Sequence, residues 1–188
     1  MKKFLLIITS LLLVVSLFGC NKNESTGTVT VGDKQQLAGF EAGNKAVEYS
    51  FAYPEEWEIM RNDGTLEFRY DCNKSDLLAE YATITTMAFT LPDSNMGATN
   101  YWEAKKSEHE KLFEDYKELD TEETQLDGTP AYKVKYSGKM NGNTYVSEQI
   151  ICCRYGSVYL VTLVSLEEYH DEINSALFTI RDSFKFAN

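Results

Sequence analysis

The order of β-patterned and helical segments constrains the fold of this chain more than any other feature. Segments rich in β-branched and aromatic residues form two blocks, and a segment with helical periodicity follows each block. The β segments are 47–51, 57–60, 65–70, 81–91, 119–126, 131–137, 145–153 and 158–164, and the helical segments are 100–117 and 165–184. A parallel sheet would need regular alternation of strands and helices. The order therefore predicts an α+β fold with a mainly antiparallel sheet flanked by helices.

Two sequence patterns predict where the helices begin. Asn100 with Glu103, and Ser165 with Glu168, have the spacing of a capping box, in which side chains satisfy the free amides of the first helical turn. Apolar residues in both segments recur at helical spacing, so one face of each helix is expected to be buried.

The N-terminus has the pattern of a bacterial lipoprotein signal. Lys2 and Lys3 precede an apolar run over residues 4–18, which is shorter than the ~20 residues that span a bilayer. The run ends at Gly19 and Cys20, and residues 17–20 resemble the lipobox, whose cysteine is acylated after cleavage. The alternative is an ordinary signal peptide with an incidental cysteine.

These signals divide the chain into three parts. Residues 1–19 are the predicted lipoprotein signal peptide, 20–45 a lipidated flexible tether, and 46–188 the folded domain. The tether prediction rests on a polar composition without sustained periodicity; Leu37 and Phe40 are its two side chains that can dock on the domain. Acyl chains on Cys20 would bind membrane lipid and hold the protein on the extracytoplasmic face of the cell membrane.

The charge of the chain restricts its partners. Loss of residues 1–19 removes two lysines and no acid, which moves the formal charge from −11 to about −13. Binding to nucleic acid needs a basic face, so we expect no nucleic-acid partner. Anionic lipid would also repel the domain, so membrane attachment is expected to depend on the acyl chains.

Three cysteines remain once Cys20 is acylated. An odd number cannot form a closed set of disulfides, so either Cys72 pairs with Cys152 or Cys153, or all three are reduced. The adjacent Cys152 and Cys153 would point to opposite faces of a strand. We therefore expect a structural role for them rather than a shared metal or redox site.

The two histidines offer few ways to build a nucleophilic active site. His109 lies within the apolar arc of its helix, which predicts a partly buried, hydrogen-bonded histidine. His170 lies beside Glu167 and Asp171, which suits either a weak cation site or, with greater weight, a solvated helix face.

Acidic residues are dense between positions 108 and 127, but no calcium-loop motif occurs there. A solvated acidic face is therefore the preferred interpretation, with calcium binding as the alternative. Walker, dinucleotide-binding and zinc-protease motifs do not occur in the sequence. We predict no catalytic residues, no cofactor and no metal site.

Four segments together resemble one protein family. They are 53–57 (YPEEW), 126–132 (LDGTPAY), the strand 159–164 and the S-F-K-F ending at 183–186. In this order they are similar to the PsbP-like superfamily of photosystem II extrinsic proteins, which includes DcrB-like bacterial lipoproteins. The resemblance covers residues 46–188 and implies an α/β/α sandwich. Members include photosynthetic assembly factors, a Ran-binding import factor and envelope lipoproteins, so it implies binding rather than catalysis.

The sequence thus predicts a membrane-anchored extracytoplasmic lipoprotein that acts as a non-catalytic binding or assembly module. Its partner would be an envelope protein or a small ligand. An extracytoplasmic hydrolase that uses carboxylates is the alternative. Candidate binding residues are the large aromatic and imidazole side chains Trp57, Trp102, His109 and His170.

Overall fold

The computed structural model describes residues 28–31, 49–62, 65–71 and 74–186. The predicted signal peptide, Cys20, Leu37, Phe40 and Cys72 lie outside these residues, so their predicted roles stay predictions. The strands are β1 (Thr28–Val31), β2 (Tyr49–Ala52), β3 (Trp57–Asn62), β4 (Thr65–Tyr70), β5 (Thr83–Thr90), β6 (Glu114–Leu126), β7 (Thr129–Met140), β8 (Asn143–Arg154), β9 (Ser157–Leu166) and β10 (Lys185–Phe186). The helices are α1 (Asp76–Tyr81), α2 (Ala98–Leu112), α3 (Glu167–Ile173) and α4 (Ser175–Ser183).

The strands form two sheets in which every neighbouring pair is antiparallel. The larger sheet has seven strands in the order β3-β4-β5-β9-β8-β7-β6, and the smaller has the order β1-β2-β10. The mainly antiparallel α+β fold predicted from the sequence is therefore confirmed.

Elements cover both faces of the seven-stranded sheet. Ile150 packs in a cluster with Leu78 of α1 and Leu177 of α4, whereas its neighbour Ile151 packs with Trp102 of α2. Adjacent strand residues point to opposite faces, so α2 lies on one face and α1, α3, α4 and the small sheet lie on the other. We call these the α2 face and the α4 face.

The small sheet is held on the α4 face by stacked aromatic rings. The rings of Tyr49 and Phe184 lie 5.0 Å apart and nearly parallel, and Phe51 stacks on Phe184 at 6.1 Å. Tyr159 of β9 meets Phe186 edge to face at 4.8 Å. These contacts exclude water from a large apolar area, which fixes β2 and β10 against the central strands.

Both edge strands of the large sheet carry irregularities that hinder pairing with another chain. The register shifts at Met60 in β3 and at Leu119 in β6, and both side chains are exposed. β6 is acidic and mostly exposed, and lysines of β7 lie across from its acids at Glu114–Lys139, Asp120–Lys135 and Glu122–Lys133. Bulges and charges of this kind protect sheet edges from aggregation.

The first predicted helix differs from α2 at both ends. α2 begins after Gly97, with no side-chain cap, so Asn100 lies inside the helix and the first predicted capping box does not form. It ends at Leu112, and residues 114–117 belong to β6 rather than to the helix. Phe113 is extended at this boundary and packs directly over Gly138 of β7, where a Cβ atom would lie 2.7 Å from the Phe113 Cγ. Burial of this ring overrides the helical periodicity.

The C-terminal region forms two helices rather than the single helix predicted. Asn174 separates α3 from α4, and Leu166 rather than Ser165 is the first cap residue. The second predicted capping box is therefore wrong, because the Ser165 hydroxyl bonds to His170 instead. Helix α1 was not predicted from the sequence. Ser75 caps its start, and the Ser75 hydroxyl accepts a hydrogen bond from the Leu78 amide at 3.2 Å.

Strand β1 lies inside the segment predicted to be a flexible tether. Its residues pair with β2 from Thr28–Ala52 to Val31–Tyr49. Ordered structure thus begins before Ala46, the start expected from the sequence. Four residues are too few to show the alternation of apolar and polar side chains by which a strand is predicted from sequence. The strand is recognised only by its pairing with β2.

Candidate functional site

Five polar side chains form a connected chain on the α4 face, which we call the polar chain: Glu122, Lys133, Glu148, Ser165 and His170. Lys133 Nζ lies 2.8 Å from Oε2 of Glu122 and 3.1 Å from Oε1 of Glu148. His170 Nε2 lies 3.2 Å from Oε2 of Glu148, and its Nδ1 lies 3.0 Å from Oγ of Ser165. The chain runs from an exposed carboxylate on the sheet edge to a buried hydroxyl.

Each member comes from a different element. Glu122 and Lys133 are cross-strand neighbours of β6 and β7, and Glu148 lies on the adjacent β8. Ser165 lies near the end of β9, and α3 brings His170 back over it five residues later. Strand alternation places these side chains on the α4 face with Ile150. The polar chain therefore ties α3 to the sheet.

The groups in the middle of the polar chain are charged. Burial alone would raise the pKa of Glu148, but hydrogen bonds from His170 and Lys133 hold it below its ordinary value. Burial opposes the charge on Lys133, yet its two carboxylate partners raise its pKa. The two residues thus form a buried ion pair whose remaining polar atoms are satisfied.

Hydrogen bonds join Ser165 to His170 and His170 to Glu148. A hydrolytic triad has the same sequence of a serine, an imidazole and a carboxylate. However, Ser165 and His170 are each 1% exposed and Glu148 is 2% exposed. A substrate cannot reach the Ser165 hydroxyl unless α3 moves. In this conformation the polar chain acts as a structural connection.

The location of His170 corrects the prediction of a solvated helix face. Its neighbours in sequence, Glu167 and Asp171, are exposed, and that pattern suggested an exposed histidine. Within α3, however, His170 faces the sheet, where it bonds to Ser165 and Glu148. Its partner Glu148 is 22 residues away in the chain, so no local pattern could have found the pair.

Five side chains pack together on the α2 face and form what we call the aromatic cluster: Trp102, His109, Phe113, Tyr116 and Tyr136. The other four rings lie 5.2–6.1 Å from the Tyr136 ring. The Tyr136 hydroxyl and Nδ1 of His109 are 3.2 Å apart. His109 is half-buried, and burial lowers its pKa. The predicted partly buried, hydrogen-bonded histidine is therefore confirmed.

Two of the candidate binding residues, Trp57 and Trp102, are buried. Trp102 is inaccessible, and its indole donates to Oε2 of Glu118 at 3.0 Å, an oxygen that also pairs with Lys106. Trp57 lies against Tyr70 at 5.5 Å in the core. Since His170 is buried too, His109 is the one of the four candidate binding residues that is partly exposed.

The two cysteines that the structure describes, Cys152 and Cys153, are free. They point to opposite faces of the sheet, as predicted. Cys152 packs on the α4 face and Cys153 against the α2 face. Burial raises the pKa of Cys152 to about 12 and that of Cys153 to about 11. Both are therefore protonated thiols near neutral pH, which makes them poor nucleophiles.

Neither a metal-binding group nor a membrane-spanning helix is found in the described part of the chain. No three His, Cys, Asp or Glu residues there are grouped closely enough to hold a metal ion. None of the described helices has the length and apolar character needed to cross a bilayer.

Solved structures with similar folds share little sequence with this chain. Cyanobacterial PsbP from Synechocystis sp. PCC 6803 matches with a TM-score of 0.56 at 16% identity, over 91% of this chain and 99% of that protein. LpqN of Mycobacterium tuberculosis matches with a TM-score of 0.52 at 14% identity, over 74% and 83% of the two chains. A point mutant of the protein Mog1 matches with a TM-score of 0.53 at 12% identity, over 74% and 91%.

These similarities support the fold, and a family model identifies the family. A comparison with curated protein sequences finds no match. The model of the PsbP-like protein family, in contrast, matches residues 5–186. The match spans the central strands, the polar chain and the aromatic cluster described above, and it confirms the resemblance in the sequence: this chain belongs to the PsbP-like protein family.

Proposed function

We propose that this protein is a lipid-anchored module on the extracytoplasmic face of the cell membrane that binds an envelope partner without catalysis. The observation that carries the non-catalytic part is the inaccessibility of Ser165, the described serine that has a histidine in line with it. Ser165 is 1% exposed, so a substrate does not reach it in the folded state. The raised pKa values of the two described thiols, Cys152 and Cys153, leave little thiolate near neutral pH.

Two further observations support the proposal. LpqN, one of the proteins of similar fold, is described as involved in cell envelope biogenesis, a setting consistent with an anchored module. The sequence around Gly19 and Cys20 has the lipobox pattern. With the signal removed, the acidic chain has no electrostatic attraction to anionic lipid, so the acyl chains supply the membrane affinity.

Anchoring is tested by labelling cells with a fatty-acid analogue. The wild-type protein is expected to incorporate the label and to fractionate with membranes, and Cys20→Ala is expected to lose both properties. Cys153→Ser is the matched control, since it removes a different cysteine and is expected to keep the label. Label that survives in Cys20→Ala would overturn the proposed anchor.

The binding function is tested separately by crosslinking in intact envelopes and affinity capture of the anchored protein. We expect a reproducible partner that crosslinks to the wild type, and purified protein that stays at background in hydrolase assays. If the purified protein hydrolysed a substrate, and Ser165→Ala lost this activity while keeping its fold, the binding proposal would be overturned. The protein would then be a hydrolase in which α3 moves to expose Ser165.

A further inference from the structure

Tyr155 has a backbone conformation that suits other residue types better. Three hairpins of the large sheet turn through two residues of positive φ, which are Asp127-Gly128, Asn141-Gly142 and Tyr155-Gly156. Aspartate or asparagine followed by glycine is the favoured pair in such turns, whereas a bulky side chain at a φ of 49° is strained. The tyrosine gains little burial in return, since it is 80% exposed. A strained and exposed aromatic residue indicates a role in recognition rather than in folding.

The residue before this turn, Arg154, holds its guanidinium against two aromatic rings. The central carbon of the guanidinium lies 4.6 Å from the centre of the Tyr155 ring and 4.4 Å from that of Phe186. Phe186 is buried, and its ring meets Tyr159 at 4.8 Å and Phe184 at 5.0 Å, both edge to face. The core of the α4 face therefore fixes one of the two rings, while the other is open to solvent.

The N–H groups of Arg154 have no acceptor in the described part of the chain. Aromatic faces attract the charge of a guanidinium but do not replace the lone pairs that its five N–H groups can use. No described carboxylate lies at ion-pairing distance from it. The pKa of nearby Asp127 is lowered by its hydrogen bond to Lys185, with a smaller effect of Arg154. The Asp127 oxygens, however, bind Lys185 Nζ at 2.7 Å and the Phe186 amide at 3.1 Å.

The other described arginine side chains do have acidic partners. Arg181 also lies over an aromatic ring, at 4.9 Å, but its Nε is 2.7 Å from Oδ1 of Asp182. Nε of Arg69 is 3.6 Å from Oε1 of Glu67. A shortage of acids does not explain the difference, because acidic residues outnumber lysine and arginine by 29 to 18. Among the described arginine side chains, Arg154 is thus the one whose donors are left for a ligand.

We infer that Arg154 and Tyr155 form a recognition site for a carboxylate on an otherwise uncharged segment of a partner protein. A carboxylate accepts two parallel hydrogen bonds from the guanidinium fork, and the Tyr155 ring offers apolar contact to the groups beside it. The formal charge of −11 repels a doubly charged phosphate or an anionic surface more strongly than a single carboxylate. Tyrosine and arginine are also among the side chains that dominate interfaces. The inference rests on the binding function proposed above and adds its surface and its chemistry.

Titration of the arginine Nε–H signals by NMR tests this site in the full-length acylated protein, solubilised in a neutral detergent. The chain has four arginines, and Arg154→Lys identifies the Arg154 signal by its loss. The probes are 3-phenylpropionate, its uncharged amide and phenyl phosphate, which each carry one aromatic ring. The Arg154 signal is expected to shift saturably with 3-phenylpropionate and to stay in place with the amide. The signals of Arg69 and Arg181, which already have carboxylate partners, are expected not to move.

Tyr155→Asn is the matched variant, because asparagine suits the turn while the ring is removed. It is expected to weaken binding of 3-phenylpropionate by at least about threefold without lowering the melting temperature. Arg154→Lys keeps the charge but not the fork, and in the same titration, followed through the amide signals of the turn, it is expected to weaken binding at least about tenfold.

Three results would overturn the site. They are an equal shift with the amide, tighter binding of phenyl phosphate than of 3-phenylpropionate, and a Tyr155→Asn variant that binds as well as the wild type. If the envelope partner still crosslinks to the protein while 3-phenylpropionate does not bind, the binding function stands and the assignment to Arg154 and Tyr155 is wrong.

Discussion

Nε2 of His170 lies 3.2 Å from Oε2 of Glu148, and both side chains are almost completely buried. This contact joins α3 to β8 across 22 residues of sequence. Ser165 and Lys133 satisfy the remaining polar atoms of the pair. A substitution on either side leaves buried polar atoms without a partner, so this contact is expected to be sensitive to substitution.

Replacing Glu148 by Leu is expected to lower the free energy of unfolding by ~3–5 kcal/mol, because it leaves Lys133 with one buried partner fewer and His170 without its acceptor. Glu123→Gln, an exposed change on β6, serves as the control and is expected to cost less than ~0.5 kcal/mol. Urea unfolding measures the free energy of unfolding of both variants. A Lys133→Met, Glu148→Leu double variant should lose less than the sum of the single variants; additive losses would contradict the coupling.

His109 is expected to make the protein less stable as the pH falls. Its pKa in the folded state is lowered by burial, so the unfolded chain binds more protons as the pH drops below the ordinary value of 6.5. The free energy of unfolding should therefore decrease from pH 6.5 downward until the folded pKa is passed. His109→Gln should remove this part of the slope in urea titrations at several pH values. An identical slope in the variant would show that His109 does not cause it.

Gly138→Ala is expected to destabilise the protein by ~1–3 kcal/mol, since its Cβ atom would overlap with the Phe113 side chain. A Phe113→Gly, Gly138→Ala double variant should lose less than the sum of the two single variants, because Phe113→Gly removes the Cβ and Cγ atoms that the new methyl group would overlap. Thermal or urea unfolding of the two single variants and the double variant measures this coupling. If Gly138→Ala costs nothing, the close approach of Phe113 is wrong.

The thiol of Cys152 is expected to react with iodoacetamide at pH 8 only on unfolding. Burial raises its pKa to about 12, so both its thiolate fraction and its access to reagent are small. Cys153 is partly exposed, with its pKa raised to about 11, and is expected to react faster than Cys152. Fragment-resolved mass spectrometry separates the two sites. Equal rates in the native protein would contradict their placement on opposite faces.

Removing β1 is expected to weaken the small sheet. A chain that begins at Ala46 lacks the partner of β2, whose Tyr49 and Phe51 belong to the core. It should melt at a lower temperature than a chain that begins at Asn21, and a chain that begins at Thr28 should match the longer one. Equal melting of the Ala46 and Asn21 chains would show that the β1 pairing contributes no stability.

Local patterns in the sequence predicted much of the fold. Alternating and β-branched segments identified the strands from β2 to β9, because a strand half-covered by other elements must alternate. The adjacent Cys152 and Cys153 were correctly predicted to point apart, and His109 was correctly placed on a packed helix face. The order of motifs from residue 53 to 186 indicated the PsbP-like family.

Only the tertiary structure decided the rest, because the deciding contacts join residues far apart in the chain. Phe113 ends α2 early since its ring packs on Gly138, and local periodicity contains no information about that glycine. His170 is buried because its two ring nitrogens form hydrogen bonds with Glu148 and Ser165. β1 is a strand because β2 offers it a free edge. Sequence alone determines which segments can form strands and helices, whereas burial against distant partners determines where those segments end and which polar groups are enclosed.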